Sequence, residues 1–307
     1  MEPGASGAGD PGGEGGALAL IAGAGRLPEL VAAALDAGGR PFRVLAVRGF
    51  TERRMRARAD ATVDLLDIPG TLRILRSWAP AAIVPAGGVS RPSPAALLNA
   101  THALRNRSLL RSIAGGDDRL LRAVLALLEE NGHRVLGVHE VAPGLLSPAG
   151  RLGRHAPDAG AQASIETARH LLATLAPFDV GQASVAAADH VLAVEGPEGT
   201  DRMLARVRAV GRKPFGLGPA AKGTVLVKLP KQGQDLRIDL PAIGPRTVRA
   251  ARAAGCVGIA LGAGYTLVID APATIAAADR SGLFLVGLDM GWPDANERNA
   301  DGREAQP

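Results

Sequence analysis

Residues 225–244 read VLVKLPKQGQDLRIDLPAIG, two short apolar runs on either side of a polar stretch that contains Gly233. Val225–Leu229 and Leu236–Leu240 have the length and aliphatic content of strands. The connection between them, residues 230–235, predicts a β-hairpin. Alternation in the second run puts Leu236, Ile238 and Leu240 on one face and Arg237 and Asp239 on the other. With Leu229 facing Leu236, Lys228 comes opposite Arg237 and diagonal to Asp239. Lys228, Lys231, Gln234, Asp235, Arg237 and Asp239 then gather on and beside one ribbon. Cations around a carboxylate suit a polyphosphate ester, because the charge holds phosphates while the acid holds a metal or orients water. The same residues also suit a solvated hairpin whose charges blunt an exposed edge, and both readings stand at this point.

Toward the N-terminus, strand and helix patterns alternate. In ALALIAGAGRLPELVAAALDAGG, residues 17–39, Leu18–Ala22 reads as a strand and Gly23 and Gly25 as a turn. The helix that follows admits Pro28 in its first turn and stops at Gly38. The turn is either a cradle of free backbone N–H groups for an anion or a structural tight turn. A dinucleotide fingerprint would place glycine at position 28 and an acid after the second strand, Phe42–Val47; proline and Arg48 stand there instead. A third strand, Ala82–Ala86, runs into GGVSRP. Gly87 and Gly88 admit close approach of a ligand there, Ser90 adds a donor and Arg91 a charge. GGDDRLLRAVLALLEENG, residues 115–132, predicts a helix for which Asp117 or Asp118 is either a cap or a ligand-facing group. Arg134–Val138 reads as a further strand, ending at His139-Glu140. The pattern predicts a doubly wound parallel sheet in an N-terminal domain over residues 17–145.

A linker over 146–160 precedes a C-terminal α/β domain over 161–290. Its predicted elements begin with a helix at Ala161–Leu175 and strands at Ala183–Ala187 and His190–Val194. EGPEGTD, residues 195–201, follows, with Thr200 as a natural N-cap of the next helix. Glu195, Glu198 and Asp201 there either hold a divalent cation or form a solvated turn. Beyond the ribbon come a helix at Arg246–Ala254 stopped by Gly255, strands Val257–Leu261 and Thr266–Asp270, a helix at Ala271–Arg280 and a last strand at Leu283–Leu288. His102, His133, His155, His170 and His190 are scattered without ligand spacing. Residues 1–16, Gly-rich and acidic, and the polar tail 291–307 read as flexible ends rather than as targeting signals.

The 307 residues suffice for two cores, which the 47% hydrophobic and 3% aromatic content makes aliphatic. Lys and Arg exceed Asp and Glu by 35 to 30, which suits phosphate ligands or an anionic membrane surface. Nucleic acid is not expected as a partner, since no dense basic cluster is interleaved with stacking aromatics. Cys256 is the one cysteine, so neither an intrachain disulfide nor a cysteine metal site can form; its apolar neighbours read as a core thiol. No apolar run approaches the roughly 18–20 residues that span a bilayer.

GAGRLP, AGGVSRP, GGDDRLL, HEV, RLGR, DVGQASV, EGTDRML, KLPKQGQDLRIDLPAIG and GLFLVGLD occur in that order. With this set, the chain from about Leu18 to Asp289 resembles the LpxI type of UDP-2,3-diacylglucosamine pyrophosphatase. It departs from the family pattern at Gly88, where asparagine is expected, and near Ala24, where glycine content is expected to be fuller. The resemblance implies a Rossmann-like N-terminal domain, a distinct C-terminal α/β domain and an active site in the cleft between them. It implies hydrolysis of UDP-2,3-diacylglucosamine at the sugar-side phosphorus to lipid X and UMP, with a divalent metal, normally Mg2+. Asp239, in RIDLP, takes the place of the essential aspartate and is the candidate metal ligand. Gly23, Gly25, Gly87, Gly88, Ser90, Arg91, Asp117, Thr200, Lys228, Lys231 and Gln234 are the candidate substrate-binding residues. An acylated substrate and a chain without a spanning segment imply a cytoplasmic enzyme, peripheral on the inner membrane; a homodimer is the expected assembly. Rival readings are an NAD(P)-dependent oxidoreductase and a non-catalytic lipid- or nucleotide-sensing protein.

Overall fold

A computed structural model describes residues 16–89, 117–178, 180–210, 223–231 and 235–292. Ser90, Arg91 and Gln234 lie outside the described residues, as do the side chain of Asp117 and residues 1–15 and 293–307. The chain separates into two compact units, one ending at Leu136 and the other beginning at Gly137.

The first unit is built from β1 (Leu18–Ala22), α1 (Leu27–Ala37), β2 (Phe42–Val47), α2 (Arg53–Arg56), β3 (Ala61–Val63), α3 (Ile68–Trp78), β4 (Ala82–Ala86) and α4 (Asp117–Glu130). Its sheet has the order β3-β2-β1-β4, and every pairing is parallel. The aliphatic runs LALIA and AIVPA are almost wholly buried, as strands covered on both faces must be. α2, β3 and α3 lie between the predicted strands Phe42–Val47 and Ala82–Ala86. The start of α3 is signalled by Asp67, whose carboxylate accepts from the Gly70 amide at 2.9 Å, and by Pro69 in the first turn.

The expected strand Arg134–Val138 is not formed. Only Val135 bridges Ile83, with the Ile83 amide donating to the Arg134 carbonyl and Leu136 to the Ile83 carbonyl, both at 2.8 Å. The chain then turns at Gly137 into the short helix α5 (Val138–Val141). Glu140 Oε2 reaches back to the Gly137 amide at 2.5 Å, closing the first turn and ending any extension of the strand.

The second unit continues with β5 (Gly150–Arg151), α6 (Ala159–Leu175), β6 (Ala183–Ala187), β7 (His190–Val194), α7 (Thr200–Val210), β8 (Val225–Lys228), β9 (Ala242–Ile243), α8 (Pro245–Ala253), β10 (Gly258–Gly262), β11 (Leu267–Val268), α9 (Ala271–Arg280) and β12 (Phe284–Leu288). The larger sheet runs β5-β12-β10-β8-β6-β7, with β12, β10 and β8 mutually parallel and the other pairs antiparallel. Segment 146–151 docks on this unit, through a bridge from Leu146 to Leu267 and the pairing of β5 with β12.

The predicted hairpin is corrected here. β8 is an interior strand held by β10 and β6, while residues 236–238 form a turn and β9 pairs with β11. The reason is packing. Val225 and Val227 face a core with Ile165, Ala168 and Leu172 of α6, and Leu226 faces a second core with Met203, Leu204, Val248 and Ala277. A strand apolar on both faces gains more between two layers than at the edge of an isolated ribbon.

Candidate active site

Asp235 to Asp239 form a compact turn. The amides of Ile238 and Asp239 donate to the Asp235 carbonyl at 3.2 and 3.3 Å. The Asp235 carboxylate takes the Arg237 amide and Nε on Oδ1, both at 3.0 Å, and Nη2 on Oδ2 at 2.8 Å. Leu236 is buried against Tyr265, whose ring meets Trp292 edge to face with centroids 5.4 Å apart. Arg237 therefore pairs with Asp235, in place of the expected strand face shared with Asp239. Trp292, expected to lie in the flexible tail, is packed.

Asp239 instead meets Gln182, the residue before β6, whose Nε2 donates to Asp239 Oδ2. Sheet register explains the encounter. Lys228 at the end of β8 lies opposite Ala183 at the start of β6, and the Leu229 amide donates to the Gln182 carbonyl at 2.9 Å. On its other side β6 pairs with β7, which brings Glu195 back to the same end of the sheet. Glu195 Oε2 accepts from the Gln182 amide at 3.1 Å, and Oε1 accepts from Thr200 Oγ1 at 2.6 Å. Lys228 Nζ in turn donates to Thr200 Oγ1 at 2.8 Å. Glu195 and Lys228 are each only 9% exposed, so an ammonium and a carboxylate leave water together, joined by a hydroxyl that serves both. Lys231, two residues past Leu229, is half-buried.

Thr200 opens α7 as its first helical residue, and its hydroxyl serves Glu195 and Lys228, which differs from the expected cap. The cation loop read from Glu195, Glu198 and Asp201 is not assembled. Glu198 pairs with Arg206 at 3.2 Å and Asp201 with Arg246 at 2.8 Å. Among the described residues no three His, Cys, Asp or Glu side chains come together as a metal site.

His139, given no role by the sequence reading, is completely buried beside this turn. Burial lowers its pKa below 6.5; Glu140 and Asp235 oppose the shift, Arg237 reinforces it, and a backbone hydrogen bond with Leu236 raises it. The packing is tight: a Cβ on Gly137 would lie 3.1 Å from Arg237 Cα and 2.3 Å from the His139 ring. The one signal available was HEV, set one residue beyond Gly137.

In the first unit, Gly23, Gly25, Gly87 and Gly88 come together at the carboxyl ends of the adjacent strands β1 and β4. A Cβ on Gly23 would sit 2.7 Å from the Gly88 carbonyl oxygen, and one on Gly87 would sit 2.5 Å from that of Ala24. The two loops hold each other: Gly23 donates to Ala86 at 2.8 Å, Ala24 to Gly88 at 2.7 Å and Gly88 to Ala24 at 3.1 Å. The amides of Gly23 and Ala24 are thus consumed within the loops, which corrects the reading of that turn as wholly free N–H groups. The strand order reverses between β1 and β4, where open parallel sheets receive ligands.

These features define a mixed α/β protein with parallel strands and, at one strand end, a carboxylate set in a line of buried polar groups. The chain belongs to the LpxI family: its N-terminal domain matches residues 17–145 and its C-terminal domain matches residues 148–286. UDP-2,3-diacylglucosamine pyrophosphatase LpxI of Caulobacter vibrioides is 39% identical over 273 residues, 89% of this chain and 97% of that protein. Among solved structures, a biotin carboxylase from Campylobacter jejuni aligns with TM-score 0.25 at 14% identity over 66% of this chain and 43% of that one. The biotin carboxylase domain of a 2-oxoglutarate carboxylase from Hydrogenobacter thermophilus aligns with TM-score 0.24 at 14% identity over 64% and 42%. The chain spans less than half the length of these structures, and likeness at this level carries no argument.

Proposed function

We propose that this chain hydrolyses the pyrophosphate bond of UDP-2,3-diacylglucosamine to 2,3-diacylglucosamine 1-phosphate (lipid X) and UMP, in lipid A biosynthesis. The observation that carries the reading is the 39% identity over nearly the full length of both chains to a protein named for that activity. The chemistry at Asp239 supports it. A pyrophosphate diester repels nucleophiles with its own charge, so hydrolysis requires cations at the phosphoryl oxygens and water delivered in line. Lys228 and Lys231 supply cationic charge, and UMP leaves as a phosphate without need of a strong acid. Asp239 orients water at the sugar-side phosphorus, holds a metal, or does both.

The donor set fits a hard divalent cation such as Mg2+, which takes one or two carboxylates and completes its shell with phosphate oxygens and water. Asp239 would hold it, and the Gln182 contact to that carboxylate comes from a neutral amide. Glu195 is committed to Thr200 and the Gln182 amide. Bound there, the ion would neutralise phosphoryl charge. The parallel sheet of the first unit is read as Rossmann-like, with Gly23, Gly25, Gly87 and Gly88 binding substrate. The acylated substrate places the enzyme at the cytoplasmic face of the inner membrane; among the described residues no helix is long and apolar enough to cross a membrane.

The test is release of UMP and lipid X from the lipid nucleotide by purified protein, with Mg2+ and with chelator. Asp239→Ala is expected to lower turnover on the order of a thousandfold while binding persists. Lipid nucleotide bound but intact with Mg2+ present would favour a sensor, and binding of NADPH without UMP release would favour an oxidoreductase.

A further inference from the structure

We infer that Gln182 is a positioning residue for Asp239, a role that rests on the hydrolase reading. Gln182 is held from two sides before its side chain is placed. Its amide donates to buried Glu195 Oε2 at 3.1 Å, and its carbonyl accepts from Leu229 at 2.9 Å. With the backbone fixed, the side-chain amide donates to Asp239 Oδ2 and sets the orientation of that carboxylate. Asp239 lies in a turn and so lacks the ladder bonds that orient a strand residue. The strand end thus supplies the rigidity that the turn lacks.

The choice of a neutral donor has a chemical reason. Lysine or arginine at this position would form an ion pair, and the carboxylate would lose attraction for a metal or a water proton. Glutamate would repel it. An amide N–H donates without adding a charge of its own, so this contact orients Asp239 without forming an ion pair with it. The same Glu195 that fixes the Gln182 amide accepts from Thr200, which accepts from Lys228. The orientation of Asp239 and the placement of the Lys228 ammonium therefore share one buried anchor.

The experiment compares wild type, Gln182→Leu, Gln182→Asn and Gln182→Glu in UMP release, with an unfolding midpoint for each. Gln182→Leu is expected to lower kcat about tenfold or more with KM within about threefold, because the lost contact orients the reacting group and does not hold the bulk of the substrate. Gln182→Glu is expected to be worse, and Gln182→Asn to lie between wild type and Gln182→Leu. In an Asp239→Asn background, Gln182→Leu is expected to add no further loss, since nothing remains to be positioned. Wild-type kcat in Gln182→Leu, or losses that multiply in the double variant, would overturn the inference. A fall in kcat that follows the unfolding midpoint across all three variants would overturn it as well. Absence of UMP release from the wild type would overturn the functional reading and this inference with it.

Discussion

Arg237 closes back on Asp235. Its amide and Nε donate to one carboxylate oxygen, both at 3.0 Å, and Nη2 donates to the other at 2.8 Å. The side chains are 25% and 30% exposed, so water competes only partly for this fork. The ring fastens the turn that delivers Asp239, whose amide donates to the Asp235 carbonyl at 3.3 Å.

Asp235→Ala is therefore expected to behave as a structural lesion, although a hairpin reading makes it a mild control for Asp239→Ala. Removing one acceptor of three bonds should cost about 1–3 kcal/mol and loosen the turn, so activity should fall together with the denaturant midpoint. Asp239→Ala should lose turnover with its midpoint nearly unchanged. Equal midpoints in the two variants would contradict the fork's role.

Gly87 and Gly88 are neighbours with opposite tolerance. Gly87 has φ +88 and no room for a Cβ, whereas among the described residues nothing lies within 4 Å of a Cβ on Gly88. Gly87→Ala is expected to destabilise by about 2 kcal/mol or more, while Gly88→Ala should fall within about 0.5 kcal/mol of wild type. Thermal or urea unfolding of the pair checks this.

His139 predicts an acid-side loss of stability. Its folded-state pKa is lowered, chiefly by burial, from an ordinary value of 6.5. The unfolded chain thus binds more protons between those two values, and stability is full above 6.5 and declines as pH falls below it. Urea midpoints measured from neutrality downward should drop, and His139→Gln should flatten that drop. An unchanged slope would remove His139 as the cause.

Cys256 is completely buried, and burial pushes its thiol up to about 12. The native protein should resist alkylation at mildly alkaline pH and react once denatured, by mass spectrometry of the labelled chain.

The sequence by itself determined the local elements and the family. LALIA, FRVLAV and ASVAA state their strands by composition alone, and Pro28, Gly38 and Gly255 mark helix ends through backbone constraints that act residue by residue. The order of motifs was legible for the same reason, being carried along the chain. The tertiary structure decided the partners. VLVK looks the same in a hairpin as in the middle of a sheet, and only the two cores on either side place it between β10 and β6. Leu236 is buried without its predicted strand, because the cluster at Tyr265 holds an apolar side chain from a turn equally well. Asp239 was legible as a carboxylate of consequence, yet its partner lies 57 residues away and beyond any periodicity. Hydrogen bonds between distant side chains depend on strand register, which non-local burial sets, and so the partners of Gln182, Glu195 and His139 emerged only when the chain was folded.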